Sequence, residues 1–430
     1  MFKIILKVPK ALRFNERRIV VNKKAIKAHS LDLDGAGIIY PYVANRKWNS
    51  VYRIEAELKE PVDSAALRQA VNDLRNDYPY FFMTLDKTGT KYILRDCSFV
   101  SDTVYNNFGV VCKPFDLESG KSLVRFIYGK NKIILEMFHS ITDGHGAMEL
   151  MKALLSRYKR ASDGLKSVSC EAFCENQSLL ESRDDIFDEL YSRGGKNISR
   201  ILSSAYQIKR LKPTALQYKT LELPCRQVVD SAHLYGVSVA VLICALQIKA
   251  IVMSQKNIRG SIRISVPVDL RKIFSFSSCR NSSLYFLVSV KPEETAVFSD
   301  LLENVKKQFQ RNITAENMQN SAYTNVSSAK LKAFKMLPVP VKKAILKFGY
   351  THLGENQFTA TMTDIGVVKF NEDIGKIVDN VYFVLGKQKT KPINIAVTTY
   401  NDIVRLVVSY DTDCSDFLDA LNSLIDNYVL

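Results

Sequence analysis

His139, Asp143 and Gly144 stand in a His-x-x-x-Asp-Gly pattern inside the stretch from Ile133 to Gly146. An imidazole changes protonation near neutral pH with little help from its surroundings, so the chemistry to expect of His139 is general base catalysis. Asp143 could orient the ring, or it could hold the loop by pairing with a distant arginine. His145 adds a third ligand-type side chain, but all three lie within seven residues and would have to converge on one point, so no metal is expected. His145 reads instead as a hydrogen-bonded histidine at a helix start, or as a residue lining an acceptor channel. No serine or cysteine occupies a Gly-x-Ser-x-Gly elbow, so no covalent acyl-enzyme is called for.

The elements that position these residues follow from the apolar pattern. Residues 133–138 are β-branched and apolar enough for a buried strand, and Asp143-Gly144 turns the chain. From Ala147, the positions Met148, Leu150, Met151, Leu154 and Leu155 recur at helical spacing. His139 is thereby placed at a strand terminus. Further strands are expected over 48–59, 81–85, 92–94 and 123–128, with a helix capped by Asp63 that carries Leu67, Ala70, Val71 and Leu74 on one face. The pattern breaks at 161–164, and the charged stretch 181–195 with Gly194-Gly195 reads as a boundary. Beyond it come a strand at 221–224, a helix ending at Tyr235-Gly236, a long apolar helix capped by Ser238, strands at 394–399 and 403–410, and a last helix over 415–428. Alternating strands and helices of this kind read as α/β or α+β with mixed sheets.

Upstream of the motif lie Pro114-Phe115-Asp116-Leu117-Glu118-Ser119-Gly120 and Leu123-Val124-Arg125-Phe126. With the motif strand, this order resembles the chloramphenicol acetyltransferase-like superfamily. That superfamily includes peptide synthetase condensation domains, plant-type acyl-CoA-dependent acyltransferases and microbial alcohol acetyltransferases. Many members carry His-His-x-x-x-Asp-Gly; here Phe138 stands at the first histidine, which fits the acyl-CoA branches better. The resemblance runs from about residue 48 onward. It implies two domains, each a mixed sheet flanked by helices, with an active-site tunnel between them. The resulting division is a basic N-terminal extension over 1–47, a motif-bearing domain over 48–185 and a C-terminal domain over 186–430.

Two further segments carry the resemblance. Val268-Asp269-Leu270-Arg271 is similar to an Asp-x-Arg segment whose arginine pairs with the motif aspartate, which implies a bidentate Arg271 against Asp143. Thr363-Asp364-Ile365-Gly366 resembles both the plant-type Asp-Phe-Gly-Trp-Gly and the Ser-Asn-Leu-Gly of alcohol acetyltransferases. Asp364 and Gly366 are therefore expected to be structural support, in a turn that closes the second sheet. The implied mechanism is one-step acyl transfer from a coenzyme A thioester to a hydroxyl or amine, with His139 as base. Asn281, Ser282 and Thr363 are the candidate oxyanion or substrate contacts. No cofactor is expected to stay bound, since acyl-coenzyme A is a co-substrate. An acylated carrier protein as donor and a non-catalytic ligand-binding role remain alternatives.

Composition sets outer limits. At 430 residues with 47% hydrophobic and 24% charged side chains, the chain reads as a folded protein of two domains. It has no apolar run of spanning length and no signal-peptide core, so a cytoplasmic location is expected. The eight cysteines are scattered and read as buried free thiols, and Cys170-x-x-x-Cys174 lacks the second pair that a zinc site needs. The net charge of +16 bears on partners. Nine of the first thirty residues are Lys or Arg, and residues 330–347 hold six lysines and no acid. Coenzyme A phosphates, an acidic carrier protein or an anionic membrane touched by the N-terminus would each suit such charge. Nucleic acid is not expected, because no recognition signature accompanies the basic residues.

Overall fold

In the computed structural model the described residues are 30–45, 48–97, 104–106, 109–165, 177–198 and 203–429. The basic stretch through residue 29 and the Cys170/Cys174 spacing lie outside them. Fourteen strands occur among the described residues. They are β1 (Ser30–Asp32), β2 (Val51–Leu58), β3 (Thr84–Thr88), β4 (Lys91–Arg95), β5 (Val104–Asn106), β6 (Val124–Tyr128) and β7 (Lys132–Phe138) in the first half. The second half supplies β8 (Gln217–Pro224), β9 (Ile262–Asp269), β10 (Ser283–Val290), β11 (Ala360–Val367), β12 (Val378–Val384), β13 (Ile393–Tyr400) and β14 (Ile403–Tyr410).

The motif strand β7 is apolar on both faces and is accordingly central, in a sheet ordered β12-β2-β7-β6-β5. Its ladders are antiparallel except that of β5 with β6. A second sheet runs β10-β9-β11-β13-β14-β8, with β11 parallel to both neighbours. A small antiparallel sheet, β1-β4-β3, completes the set. Helices Ser64–Asp77 and Gly144–Ser162 pack together in the core of the first sheet, and Val239–Ser254 and Ser415–Tyr428 in that of the second. Asp63 caps the first of these by accepting from the Ala65 and Ala66 N–H groups. Val239–Ser254 is buried nearly all round, as a core helix must be when its sequence has no polar face. Among the described residues no single helix is long and apolar enough to cross a membrane.

Two segments depart from the division drawn from sequence. β12, from the C-terminal half, pairs along β2 and covers what would otherwise be an open edge of the motif sheet. Residues 30–45, assigned above to a basic extension, belong to the folded body: β1 pairs with β4, and the helix Tyr40–Val43 lies buried beyond it.

Three local features also differ. The strand expected over 81–85 is a 3-10 turn, Pro79–Phe82, followed by β3; Tyr80, Phe81 and Phe82 are all buried, which a strand with one exposed face cannot achieve. The motif helix starts at Gly144 rather than Ala147, because Asp143 caps it. Residues 363–366 form a bulge inside β11 and not a closing turn. The ladder to β13 shifts between Asp364 and Val367, Gly366 takes φ +83°, and its N–H donates to Asp364 Oδ1 at 2.8 Å.

One charge sits deep in β7. Glu136 is fully buried and accepts from Arg53 Nε (2.7 Å), Arg125 Nε (2.5 Å) and the Cys112 N–H (2.7 Å). Arg53 and Arg125 are its register partners on β2 and β6. A slip of one residue would strand these guanidinium groups in the interior, so the carboxylate fixes the register of three strands.

Candidate active site

His139 follows β7 directly, and its backbone N–H donates to Ser50 O at 2.8 Å. The ring stacks on Tyr40, with centroids 4.5 Å apart, and meets Tyr52 edge-on at 5.0 Å. Its Nδ1 lies 3.1 Å from Asn281 Oδ1. On its other side the Asn281 amide donates from Nδ2 to Asp34 Oδ2 at 3.1 Å. Asp34 Oδ2 accepts from both the backbone N–H and the Nδ2 of Asn281, so the amide turns its nitrogen to Asp34 and its oxygen to His139. That oxygen also accepts, which places the ring proton on Nδ1 and leaves the Nε2 lone pair available. Burial holds the imidazole below its ordinary pKa, against the pull of its own backbone hydrogen bond, Asp143 and Asn281. The ring is therefore neutral at pH 7.

Asp34 is itself fully buried. It accepts the N–H groups of Gly37 and, at 3.3 Å, Asn281, with Arg280 Nε 3.6 Å away. Burial pushes its carboxyl above its ordinary pKa, and the pull of Arg280 and these donors does not cancel that rise. Gly37 makes the approach feasible: a Cβ there would lie 2.8 Å from Asp34 Oδ1 and 3.1 Å from Ser140 O.

Asp143 holds the loop. Arg271 Nη1 reaches both of its oxygens, at 2.9 and 3.1 Å, and also Asp269 Oδ1 at 3.0 Å. The rest of the guanidinium serves the chain, with Nε donating to Ser278 O (2.8 Å) and Nη2 to Arg280 O (2.5 Å). One nitrogen thus contacts both oxygens, in place of the side-by-side fork expected. Asp143 further accepts the N–H groups of Gly146 (3.0 Å) and Ser282 (2.7 Å). Burial raises its pKa, but Arg271 and these donors outweigh burial and hold the carboxyl below its ordinary value. The loop carbonyls are equally fixed. Tyr80 Oη donates to Ile141 O (2.6 Å), and Tyr52 Oη reaches Thr142 O (2.9 Å) and Asp143 O (3.0 Å).

No family model matches this chain, and no curated protein matches it by sequence. Solved structures do match. The trichothecene 15-O-acetyltransferase TRI3 from Fusarium sporotrichioides aligns with a TM-score of 0.62 at 12% identity, over 93% of this chain and 95% of its own. TRI101 of the same fungus, solved with coenzyme A and T-2, gives 0.59 at 10% identity over 92% and 97%. The starter condensation domain of rhizomide synthetase RzmA, solved in complex with C8-CoA and Leu-SNAC, gives 0.57 at 12% identity over 93% of each chain. The chain has the chloramphenicol acetyltransferase-like fold.

Within this chloramphenicol acetyltransferase-like fold the other sequence candidates take distinct places. Phe138, at the first-histidine position, is fully buried opposite Val51 and cannot reach a substrate. Gly144 admits no side chain without crowding, since a Cβ would lie 3.0 Å from the Phe383 ring and 3.1 Å from Ile365 Cδ1. Asn281 is placed on the ring side of His139. The Ser282 N–H and hydroxyl are both engaged, with Asp143 and, at 3.4 Å, Arg280 O, so neither is aimed at an oxyanion. Thr363 is buried in β11 opposite Ala396. His145, in the first turn of the motif helix, keeps its Nδ1 3.9 Å from Asp269. Asp364 closes the bulge from an exposed position by accepting the Gly366 N–H. Among the described residues no three His, Cys, Asp or Glu side chains are gathered to hold a metal.

Asp34, Tyr40 and Tyr52 complete the setting of the histidine, and the sequence reading did not single them out. A signal existed for the first. Asp34-Gly35-Ala36-Gly37 is a run of small residues behind an acid, and such a run marks a close backbone approach.

Proposed function

We propose that this protein is an acyltransferase that moves an acyl group from a coenzyme A thioester to a hydroxyl or amine of a small-molecule acceptor, with His139 as general base. The observation that carries the reading is the Asp34–Asn281–His139 chain, which makes Nε2 the free, unprotonated nitrogen of a clamped ring. Further support comes from the names of structural neighbours, an O-acetyltransferase and proteins solved with coenzyme A or C8-CoA.

Nε2 removes the acceptor's proton as its oxygen or nitrogen attacks the thioester carbonyl. The tetrahedral adduct then collapses, the carbon–sulfur bond breaks, and the imidazolium returns the proton to the departing thiolate. Asp143 takes no part in this transfer; together with Arg271 it keeps the loop in place. Pre-set geometry of this kind removes much of the entropic part of the barrier.

The test is thiol release from acetyl-, butyryl- and palmitoyl-coenzyme A against a panel of alcohols and amines. Release that requires both donor and acceptor supports the reading. Release from an acylated carrier protein alone would replace coenzyme A as donor. Absence of release with either, together with tight binding of a lipophilic ligand, would make the protein a binding member of the fold.

A further inference from the structure

The helices Lys332–Met336 and Val339–Leu353, with Leu331 before them, carry a set of large apolar side chains that are exposed. Leu331, Met336, Val341, Ile345 and Phe348 are between 43% and 78% exposed. In the longer helix, Val341, Ile345 and Phe348 recur at i, i+4 and i+7, so they form one stripe. Lys343 and Lys347, both exposed, run along the far edge of the same solvent face, and Lys332 and Lys335 extend the basic character to the shorter helix. Residues 317–354 contain no aspartate or glutamate. The unit is anchored from beneath by Lys342, which is buried and donates to Thr90 O (2.7 Å) and Lys335 O (2.9 Å).

We infer that this surface docks on an anionic phospholipid bilayer. An apolar stripe on one edge of a solvent face whose opposite edge carries lysines, on a helix packed against its own domain, suits the interface of a bilayer: the stripe enters the acyl boundary while the long lysine side chains reach the headgroups.

The inner side of the same helix leads to the candidate site. Tyr350 stacks on Trp48 with centroids 4.5 Å apart, Trp48 lies 6.1 Å from Tyr40, and Tyr40 stacks on His139 at 4.5 Å. Docking through the outer side therefore sets the histidine's aromatic wall next to the membrane, where lipophilic substrates partition. This consequence for substrates rests on the proposed acyl transfer; docking itself does not.

The experiment is co-sedimentation of the full-length protein with phosphatidylcholine vesicles, with and without phosphatidylserine. Wild type binds the anionic vesicles, and added salt weakens the binding. The triple variant Val341→Ser, Ile345→Ser, Phe348→Ser loses about tenfold or more in affinity, since it removes the apolar area that enters the bilayer. Lys343→Glu with Lys347→Glu weakens only the anionic-lipid component. All of these side chains are exposed, so melting curves are expected to match wild type. Wild type that ignores anionic vesicles overturns the proposal, as does a triple variant that binds them as tightly as wild type. Capture of an acidic protein at the same lysines without vesicle binding would overturn it in favour of a protein partner. A protein that binds vesicles but shows no acyl transfer leaves docking intact and removes the enzymatic reading alone.

Discussion

His139 Nδ1 lies 3.1 Å from Asn281 Oδ1, and this contact determines which imidazole nitrogen can act as a base. Alone it would be ambiguous, because an asparagine can turn either end of its amide to a ring. Asp34 removes the ambiguity by taking the amide nitrogen. The histidine's tautomer is thus set two side chains away, by a fully buried carboxylate that belongs to neither the motif nor the motif's sheet.

Asp34→Ala is expected to lower kcat about a hundredfold with a smaller change in KM, the scale on which misplaced catalytic groups lose rate. Asp34→Asn keeps an acceptor for Asn281 and retains more activity. Steady-state kinetics on the two variants measures this; an Asp34→Ala enzyme with wild-type kcat would contradict the chain of hydrogen bonds.

The rate profile has a defined sign. The base must be unprotonated, so kcat/KM rises as pH increases through the histidine's pKa and is flat above it. Burial lowers that pKa from its ordinary 6.5, so the acid limb falls below pH 6.5. A limb measured above 6.5 in the free enzyme would mean that the ring is not desolvated as described.

Arg271→Ala leaves Asp143 buried without its counter-charge, which costs about 3–5 kcal/mol of stability. Arg271→Lys keeps a charge but loses the contacts to the Ser278 and Arg280 carbonyls, so it falls between the two. The pH dependence follows from the lowered carboxyl. Asp143 stabilises the fold fully above its unfolded value near 3.8 and loses that contribution as pH falls through its lower folded value. Urea titrations of the variants check both statements: the acid-side loss is expected to shrink in Arg271→Ala.

Glycine at 146 is demanded by its neighbour. A Cβ there would come within 2.1 Å of Thr142 Oγ1, so Gly146→Ala is expected to cost about 1–3 kcal/mol through overpacking. Thr142→Ala removes the clashing hydroxyl along with its 2.5 Å bond to Cys279 O. The double variant should be more stable than the sum of the single losses indicates, and strict additivity would contradict this contact.

Much of this arrangement can be read in the sequence where the signal is local. The apolar run before His139 specifies a buried strand, Asp63 and Ser238 specify helix starts, and an aspartate-arginine pairing was implied by resemblance; Arg271 and Asp143 are in contact. What the sequence does not display is long-range. Asn281 meets Asp34 across 247 positions, and β12 joins β2 across the midpoint of the chain. Neither contact leaves a periodic trace. The burial of Tyr80, Phe81 and Phe82 as a turn has the same cause, since three aromatics in a row fit a strand by propensity and a compact turn only once the core around them is known.

The central claim is that the Nε2 of His139 is the base, and the most direct test is the initial rate of acceptor-dependent thiol release by wild type and His139→Ala at equal folded concentration. The account predicts a loss of about 10²–10⁴-fold in kcat with an unchanged fold by melting and circular dichroism. A variant that keeps a rate within a fewfold of wild type would show that the proton leaves by another route and that this site is not the catalytic one.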